Sequence, residues 1–168
     1  MSTARVFFCR SFCLAFLGAM ITALPPVVIA QGKSVDDLML QAQAAMSKGQ
    51  PQDAVSLLRR AIDQAPDRAD LYLLRARARD ASGKYDAAIE DANKYIELKP
   101  DDAAGYLSRA RIYSSQEKFA DALRDADKAI TLAPKDADAY YRRADIHNEM
   151  GKTAEAKADE KKAAELDK

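Results

Sequence analysis

The clearest structural signal in this chain is the segment ADLYLLRARARDASGKYDAAIEDANKYIELKPDD, residues 69–102. Apolar residues recur at steps of three and four over residues 71–81 and again over residues 85–96, which is the spacing of an amphipathic α-helix. Gly83 suits the left-handed backbone that ends a helix, and Pro100 stops the second run. The segment therefore predicts two helices joined by a tight turn.

The same unit repeats along the chain with a period of 34 residues. Pro66, Pro100 and Pro134 stand 34 residues apart, and Gly49 and Gly83 are separated by the same interval. Four copies follow, at residues 35–68, 69–102, 103–136 and 137–168. Alanine fills the eighth and the twentieth position of every copy, where a small residue lets two helices approach closely. The sequence therefore predicts an all-α fold of eight helices.

Several helix starts are marked by residues that can cap them. Ser34 with Asp37 forms a capping-box pattern before the first helix. Asp102 and Asp136 stand where N-caps are needed before the third and the fourth copy. A side-chain oxygen at these places can accept a hydrogen bond from a free backbone N–H at the helix start. These residues predict helix starts at the boundaries between copies.

Fixed positions of the repeat resemble a known family. Positions 8 and 20 hold alanine, and position 32 holds proline in the first three copies. Position 4 is an aromatic residue or leucine, namely Leu38, Tyr72, Tyr106 and Tyr140. This pattern resembles the tetratricopeptide repeat over residues 35–168. The resemblance implies a right-handed α-solenoid whose first helices line a concave groove, and a protein that binds other proteins without catalysing a reaction.

An arginine and an aspartate occur together in three of the four copies, at positions 7 and 23. The pairs are Arg75–Asp91, Arg109–Asp125 and Arg143–Asp159. The first copy has Gln41 and Leu57 there, so the two charges are kept or lost together. We therefore predict a partly covered Arg–Asp contact that staples the two helices of one repeat. The alternative is that these arginines bind a ligand.

The resemblance implies that positions 2, 5, 6, 9, 12 and 13 face the groove. The candidate partner-binding residues are Met39, Gln43, Leu73, Arg77, Leu107, Arg111, Tyr141 and Arg142. An apolar stripe beside basic groups suits an extended or helical peptide that carries apolar side chains and a carboxylate. A second interpretation has Leu73 and Leu107 merely packed between repeats. In that interpretation Arg77 and Arg111 are solvated.

The two ends of the array differ in character. Lys157 and Glu160 replace apolar residues of the earlier copies, so we expect the fourth copy to be a C-terminal capping repeat with a polar face. The first helix is unusually apolar, through Leu38, Met39, Leu40 and Met46. A structural, self-assembling homodimer that uses this helix and the groove is therefore an alternative to a module that binds other proteins.

Composition excludes several other classes. The chain has 168 residues, with 26 Lys+Arg against 26 Asp+Glu, one His and two Cys. This balance of charge argues against a nucleic-acid partner. His147 has no second histidine or nucleophile near it in sequence, and no glycine-rich phosphate loop is present. We therefore expect no enzyme activity, no cofactor, no metal ion and no small-molecule substrate.

The first 30 residues differ sharply from the rest. Arg5 and Arg10 precede an uncharged apolar stretch, and small or aliphatic residues lead up to Ala30. This order is typical of a signal peptide. We predict cleavage after Ala30, with residues 31–34 as a short lead-in, and an exported protein that is periplasmic or secreted.

An uncleaved membrane anchor is the alternative for the same segment. Ser11 to Ala30 contains no charge and is just long enough to span a hydrocarbon core. The pair Pro25 and Pro26 favours cleavage, because it interrupts a helix late in the run. If the anchor were retained, it would hold the repeats on the periplasmic side of the inner membrane.

Overall fold

The computed structural model describes residues 33–168, and every regular element in this part of the chain is an α-helix. The helices are α1 (Val35–Ser47), α2 (Pro51–Gln64), α3 (Ala69–Ala81), α4 (Tyr85–Leu98), α5 (Ala103–Ser115), α6 (Phe119–Leu132), α7 (Ala137–Glu149) and α8 (Thr153–Leu166). This confirms the predicted all-α fold of eight helices. No helix among these residues has the length and apolar character needed to cross a membrane. The predicted signal peptide, residues 1–30, lies outside the described residues.

The helices keep one register through all four copies. The first helix of each pair has 13 residues and the second has 14. The Ser34 hydroxyl accepts a hydrogen bond from the Asp37 N–H at 3.1 Å, which completes the capping box of α1. Asp102 and Asp136 cap α5 and α7 through one carboxylate oxygen each, which accepts the backbone N–H two residues further on. The caps that the sequence predicts therefore hold the starts of three helices.

A three-residue turn joins the two helices of each pair, and each turn uses one left-handed residue. Gly49, Gly83 and Gly151 supply it, with φ of 71°, 70° and 74°. The third turn uses Glu117, with φ of 58°. Left-handed backbone costs a residue with a side chain about 1–2 kcal/mol. The third turn therefore carries strain that the other three avoid.

The pairs stack so that the first helices lie on the inside of the array. Each helix packs on its neighbours in sequence, and α1, α3, α5 and α7 also contact one another in succession. Within residues 33–168 the second helices make no such contact across repeats. Because the first helices approach one another across repeats and the second helices do not, the stack curves toward the first helices. The result is an α-solenoid with a concave face built from first helices.

Alanine lets the helices approach closely throughout the core. The alanines at positions 8 and 20 are all buried, namely Ala42, Ala54, Ala76, Ala88, Ala110, Ala122, Ala144 and Ala156. Larger side chains fill the remaining space, and the largest fully buried ones are Leu38, Leu58, Leu71, Ile112 and Ile146. The core therefore runs along the stack as a series of small clusters, which fixes the first helices in place under the concave face.

Candidate partner-binding groove

The three Arg–Asp pairs lie between the two helices of a repeat. In each pair the arginine Nε and Nη2 donate to the two oxygens of one carboxylate. The distances are 2.9 and 2.6 Å for Arg75–Asp91, 2.7 and 2.8 Å for Arg109–Asp125, and 2.8 and 2.6 Å for Arg143–Asp159. All three aspartates are buried. The bidentate geometry occupies both oxygens, so these pairs form helix-to-helix contacts and do not line the concave face.

A tyrosine completes each of these contacts. The guanidinium carbons lie 5.6 to 5.9 Å from the ring centroids of Tyr72, Tyr106 and Tyr140, within the range of a cation–π contact. The side chain of Arg109 also reaches the preceding repeat, where Nη1 donates to Asn93 Oδ1 at 2.6 Å. The hydrogen bonds to Asp125 raise the pKa of Arg109 above its ordinary value. The Arg109 guanidinium of this staple therefore stays positively charged.

Five predicted groove residues come together on the concave face. They are Arg77, Leu107, Arg111, Tyr141 and Arg142, from helices α3, α5 and α7. They line an open cavity of about 950 Å³, which we call the concave groove. Its volume suits a peptide segment of several residues, because binding clefts for small ligands span about 300–1,000 Å³.

A smaller cavity lies beside the concave groove, at the N-terminal end of the array. This apolar pocket has a volume of about 280 Å³, and its lining residues are Ala42, Gln43, Met46, Leu58, Leu74 and Arg77. The predicted groove residue Gln43 therefore belongs to it. Arg77 lines both cavities and so stands at their junction.

Two predicted groove residues lie elsewhere. Met39 and Leu73 are half-buried and pack against the core cluster of the first two repeats, and neither lines the concave groove or the apolar pocket. Arg68 Nη2 approaches the Met39 sulfur at 3.7 Å. The expected apolar stripe is therefore confined to Leu107 and Tyr141. Met39 and Leu73 instead pack on the core cluster of the first two repeats.

The positive charge of Arg111 is partly desolvated in the concave groove. Burial lowers the pKa of Arg111, the charges of Arg142 and Arg77 lower it further, and Asp80 opposes them. Arg111 Nη2 lies 3.1 Å from Asp80 Oδ2. Its Nε is buried and has no hydrogen-bond partner among the described residues, and the same is true of Ser108 Oγ. Both residues line the groove, so two unsatisfied polar groups share one surface with the positive charges of Arg77, Lys99, Arg111 and Arg142.

Carboxylates also line the rim of the concave groove, but three of them are engaged. Asp102 and Asp136 accept backbone N–H groups at 3.0 Å as the caps of α5 and α7. Asp145 Oδ2 accepts from Arg142 Nη1 at 3.2 Å. Asp101 and Asp138 are at the same edge. The concave groove is therefore lined by carboxylates as well as by basic side chains.

Sequence reasoning identified the arginines but missed their partners. Asp80 stands at position 12 of the second copy, which the resemblance places on the groove. Its repeat position alone could therefore have identified it as a groove residue. Ser108 stands at position 6, and a serine there gives no indication that its hydroxyl lacks a partner. His147 lies outside the groove, with Nε2 at 4.0 Å from the stapled carboxylate of Asp159. Residues 33–168 contain no group of three His, Cys, Asp or Glu side chains placed to hold a metal ion.

The fold and the concave groove define a helical-repeat protein with an open, charged binding surface. Three family models of the tetratricopeptide repeat match the chain, at residues 39–103, 103–136 and 126–158. These matches together run from residue 39 to residue 158. The chain therefore belongs to the tetratricopeptide repeat family, as the resemblance indicates.

Solved structures share this fold. The chain is similar to a crystal structure of MamA, with 25% identity, a TM-score of 0.68 and coverage of 82% of this chain and 81% of that chain. A thermophilic TPR protein of Thermus thermophilus is 19% identical with a TM-score of 0.73, and the match covers 79% of this chain and 74% of that one. A MamA from Desulfovibrio magneticus is 17% identical with a TM-score of 0.67, over 80% and 76%. Comparison with curated protein sequences gave no significant match. Family and fold together support a protein-interaction or scaffold module.

Proposed function

We propose that this protein is a non-catalytic interaction module that binds a peptide segment of a partner protein in the concave groove. The observation that carries the proposal is the cluster of Arg77, Arg111 and Arg142 in the lining of a cavity of about 950 Å³. Clustered arginines in a partly water-excluded groove attract carboxylates and bind them with directed hydrogen bonds. Leu107 and Tyr141 add apolar surface for neighbouring side chains of the same peptide.

The three staples support this assignment of roles. Each stapled arginine already has its carboxylate, whereas Arg77 is exposed on the concave face. Removing a stapled arginine would leave a buried carboxylate unpaired, which destabilises the fold. Removing Arg77 exposes no such group. The stapled arginines therefore serve the fold and Arg77 is available to the ligand, whereas Arg111 is itself paired with Asp80 at 3.1 Å.

Capture of partners tests the proposal. The full chain and a variant with Arg77→Glu and Arg111→Glu are crosslinked in the native cell and purified. A matched control carries Arg59→Glu and Arg60→Glu, which change two exposed arginines on the second helix α2 and leave the concave face intact. We expect the groove variant to lose its partners and the control to keep them, with both remaining helical by circular dichroism. An unchanged partner set in the groove variant would contradict the proposal.

The compartment is part of the proposal. Residues 1–30 support export to a bacterial periplasm or to the outside, with the repeats released after Ala30. Cell fractionation with N-terminal sequencing tests this, and the expected first residue of the mature chain is Gln31. An intact N-terminus in the membrane fraction would indicate the retained anchor instead. Recovery of the chain in the cytoplasmic fraction would contradict both the cleaved, exported chain and the membrane-anchored chain.

Self-assembly is the second candidate, and one observation favours it. Leu40 on α1 is 67% exposed, which is unusual for a large apolar side chain at the end of an array. A second copy that covered this helix would remove it from water. Light scattering of residues 31–168 over a range of concentrations separates the candidates. A strict monomer at high concentration would exclude the homodimer, and a dimer that Leu40→Glu dissociates would support it.

A further inference from the structure

We infer that two copies of this chain pair through α1, antiparallel about a twofold axis, with Leu40 of each copy against Ala44 of the other. This pairing rests on the second candidate function, self-assembly, and specifies its contact, its symmetry and its number of copies. None of the α1 residues in the contact lines the concave groove or the apolar pocket. Each dimer therefore carries two open grooves.

The exposed face of α1 is the face that a preceding repeat covers in the later copies. It comprises positions 3, 6, 10 and 14 of the first copy, which are Asp37, Leu40, Ala44 and Lys48, all exposed. We call this row the α1 face. In the later copies position 10 is Ala78, Ile112 and Ile146, each 0% exposed, and position 3 is Leu71, Gly105 and Ala139, all buried. Within residues 33–168, α1 contacts only α2 and α3, so this packing face lacks the neighbour that its equivalents have.

The α1 face is complementary to a second copy of itself. Steps of three and four residues keep its side chains in one row along the helix. From the N-terminal end the row reads acid, large apolar, small apolar and base. When a second α1 runs antiparallel in this register, Leu40 meets the partner's Ala44 and Asp37 meets the partner's Lys48. A twofold axis makes each contact twice, and a large side chain against a small one lets the helices approach closely.

The charges at the two ends of the α1 face select the antiparallel direction. Asp37 accepts hydrogen bonds from the Ser34 N–H at 3.3 Å and the Ser34 hydroxyl at 2.8 Å, both at Oδ2, so Oδ1 can accept from the partner's Lys48. The neighbouring Asp36 is already paired with Arg68 Nη1 at 2.5 Å. Exposed ion pairs add little affinity, but they determine orientation. A parallel pair would place like charges together at both ends.

Only one end of the array carries such a face, so the assembly closes at two copies. At the other end, Lys157 and Glu160 of α8 are exposed. A head-to-tail stack would bury Leu40 against these charges and would remove them from water without partners, which is costly. Two copies that meet through α1 cover both exposed leucines at once, and no apolar face is left for a third copy.

The contact is small, so we expect a weak dimer. The 13 residues of α1 form a helix about 20 Å long, and one helix pair of this length buries less than the about 1,200 Å² of a standard interface. The expected dissociation constant is about 10–100 μM. Sedimentation equilibrium of the chain purified from its native cell, at concentrations up to about ten times that range, measures it. A monomer at every concentration would overturn the inference.

A charge at either end of the array tests which face is used. Leu40→Glu places a carboxylate in the α1 face, and we expect it to raise the dissociation constant at least about tenfold. The matched control Ala164→Glu adds the same charge to an exposed alanine of α8 and should leave the dimer unchanged. Circular dichroism checks that both variants stay helical. A dimer that survives Leu40→Glu, or that Ala164→Glu dissociates, would overturn the inference.

Disulfide crosslinking tests the register. Cys9→Ser and Cys13→Ser remove the two cysteines of the chain and provide the background. Chains with Leu40→Cys are mixed with chains carrying Ala44→Cys and oxidised. Since a disulfide needs Cβ atoms about 3.5–4.5 Å apart, we expect the mixed pair to exceed the share that random pairing gives. Random pairing, or an excess of either like pair, would overturn the inference.

Two further outcomes keep the dimer distinct from its alternatives. A monomer in which Leu40→Cys resists alkylation would identify residues 1–32 as the cover of the α1 face and overturn the inference. If the chain is monomeric while Arg77→Glu with Arg111→Glu still loses its partners, the dimer is wrong and groove binding stands. If partner capture survives that charge reversal while Leu40→Glu dissociates a dimer, groove binding fails and the dimer stands.

Discussion

The ring of Tyr95 packs against the backbone of Gly105 across the boundary between the second and the third repeat. A Cβ atom at residue 105 would lie 2.7 Å from Tyr95 Cδ1 and 2.8 Å from Ile96 Cγ1, which is closer than side chains normally approach. The equivalent pairs at the other boundaries are Ala61 with Leu71 and Ala129 with Ala139. The larger side chain is therefore Tyr95 at the second boundary and Leu71 at the first, whereas both residues are alanine at the third.

Gly105→Ala is expected to destabilise the protein by about 1–3 kcal/mol, because the added methyl group overpacks this boundary. Urea unfolding measures the change in the free energy of unfolding. In a Tyr95→Ala background the nearest obstacle is gone, and alanine is the better helix former by about 1 kcal/mol. The penalty there should shrink or reverse. An equal penalty in both backgrounds would show that Tyr95 is not the cause.

The staple of the third repeat is expected to contribute strongly to stability. Asp125→Ala leaves the partly buried Arg109 charge unpaired, and removal of one partner of such a pair costs about 3 kcal/mol. A double-mutant cycle with Arg109→Ala should give a coupling energy above about 1 kcal/mol. The exposed pair Arg124–Asp121 on α6 is the matched control, with an expected coupling of about 0.5 kcal/mol or less. Zero coupling in the staple would refute its structural role.

Glu117→Gly is expected to stabilise the protein by about 0.5–1 kcal/mol. The change removes the cost of a side chain at φ 58°, less the extra entropy that glycine has in the unfolded chain. Gly83→Ala is the reciprocal test, at φ 70° with no atom within 4 Å of the added Cβ, so any loss reports backbone strain alone. Thermal unfolding of both variants measures the effect. The prediction fails if Glu117→Gly lowers the melting temperature.

Asp102 is expected to contribute stability that disappears in acid. Burial raises the pKa of this carboxyl, but hydrogen bonds from the Tyr95 hydroxyl at 2.7 Å and the Ala104 N–H outweigh it, and the pKa is lower than the ordinary 3.8. A depressed folded-state pKa stabilises the protein above the unfolded value, and this stabilisation is lost as the pH falls below 3.8 through the folded pKa.

The Tyr95→Phe variant isolates this contribution. Without the phenol hydrogen bond, the pKa of Asp102 should rise, and the loss of unfolding free energy between about pH 7 and about pH 3 should be smaller than in the wild type. Carbon NMR of the Asp102 carboxyl measures the pKa directly. An unchanged Asp102 pKa in Tyr95→Phe would show that the hydroxyl does not hold it down.

Periodicity was sufficient to predict the helices, because each 34-residue copy repeats the same helical spacing of apolar residues. The Arg75–Asp91 contact could also be predicted, since its charges appear and disappear together within one chain. The unsatisfied Ser108 hydroxyl could not, because it depends on what surrounds the side chain in three dimensions. The inward packing of Leu73 likewise depends on how closely α3 approaches the core of the first repeats, which repeat position alone does not determine.

The nearest-neighbour stacking of the helix pairs also bears on how the chain folds. Every helix contacts only helices adjacent or next-but-one in sequence, so the native contacts join residues that are close along the chain. Little loop-closure entropy is then lost before contacts form, and folding in about a millisecond or less is expected. A nucleus can begin in any one hairpin and spread in both directions. In an exported chain, a repeat that leaves the translocation channel early could therefore fold before the last one has crossed.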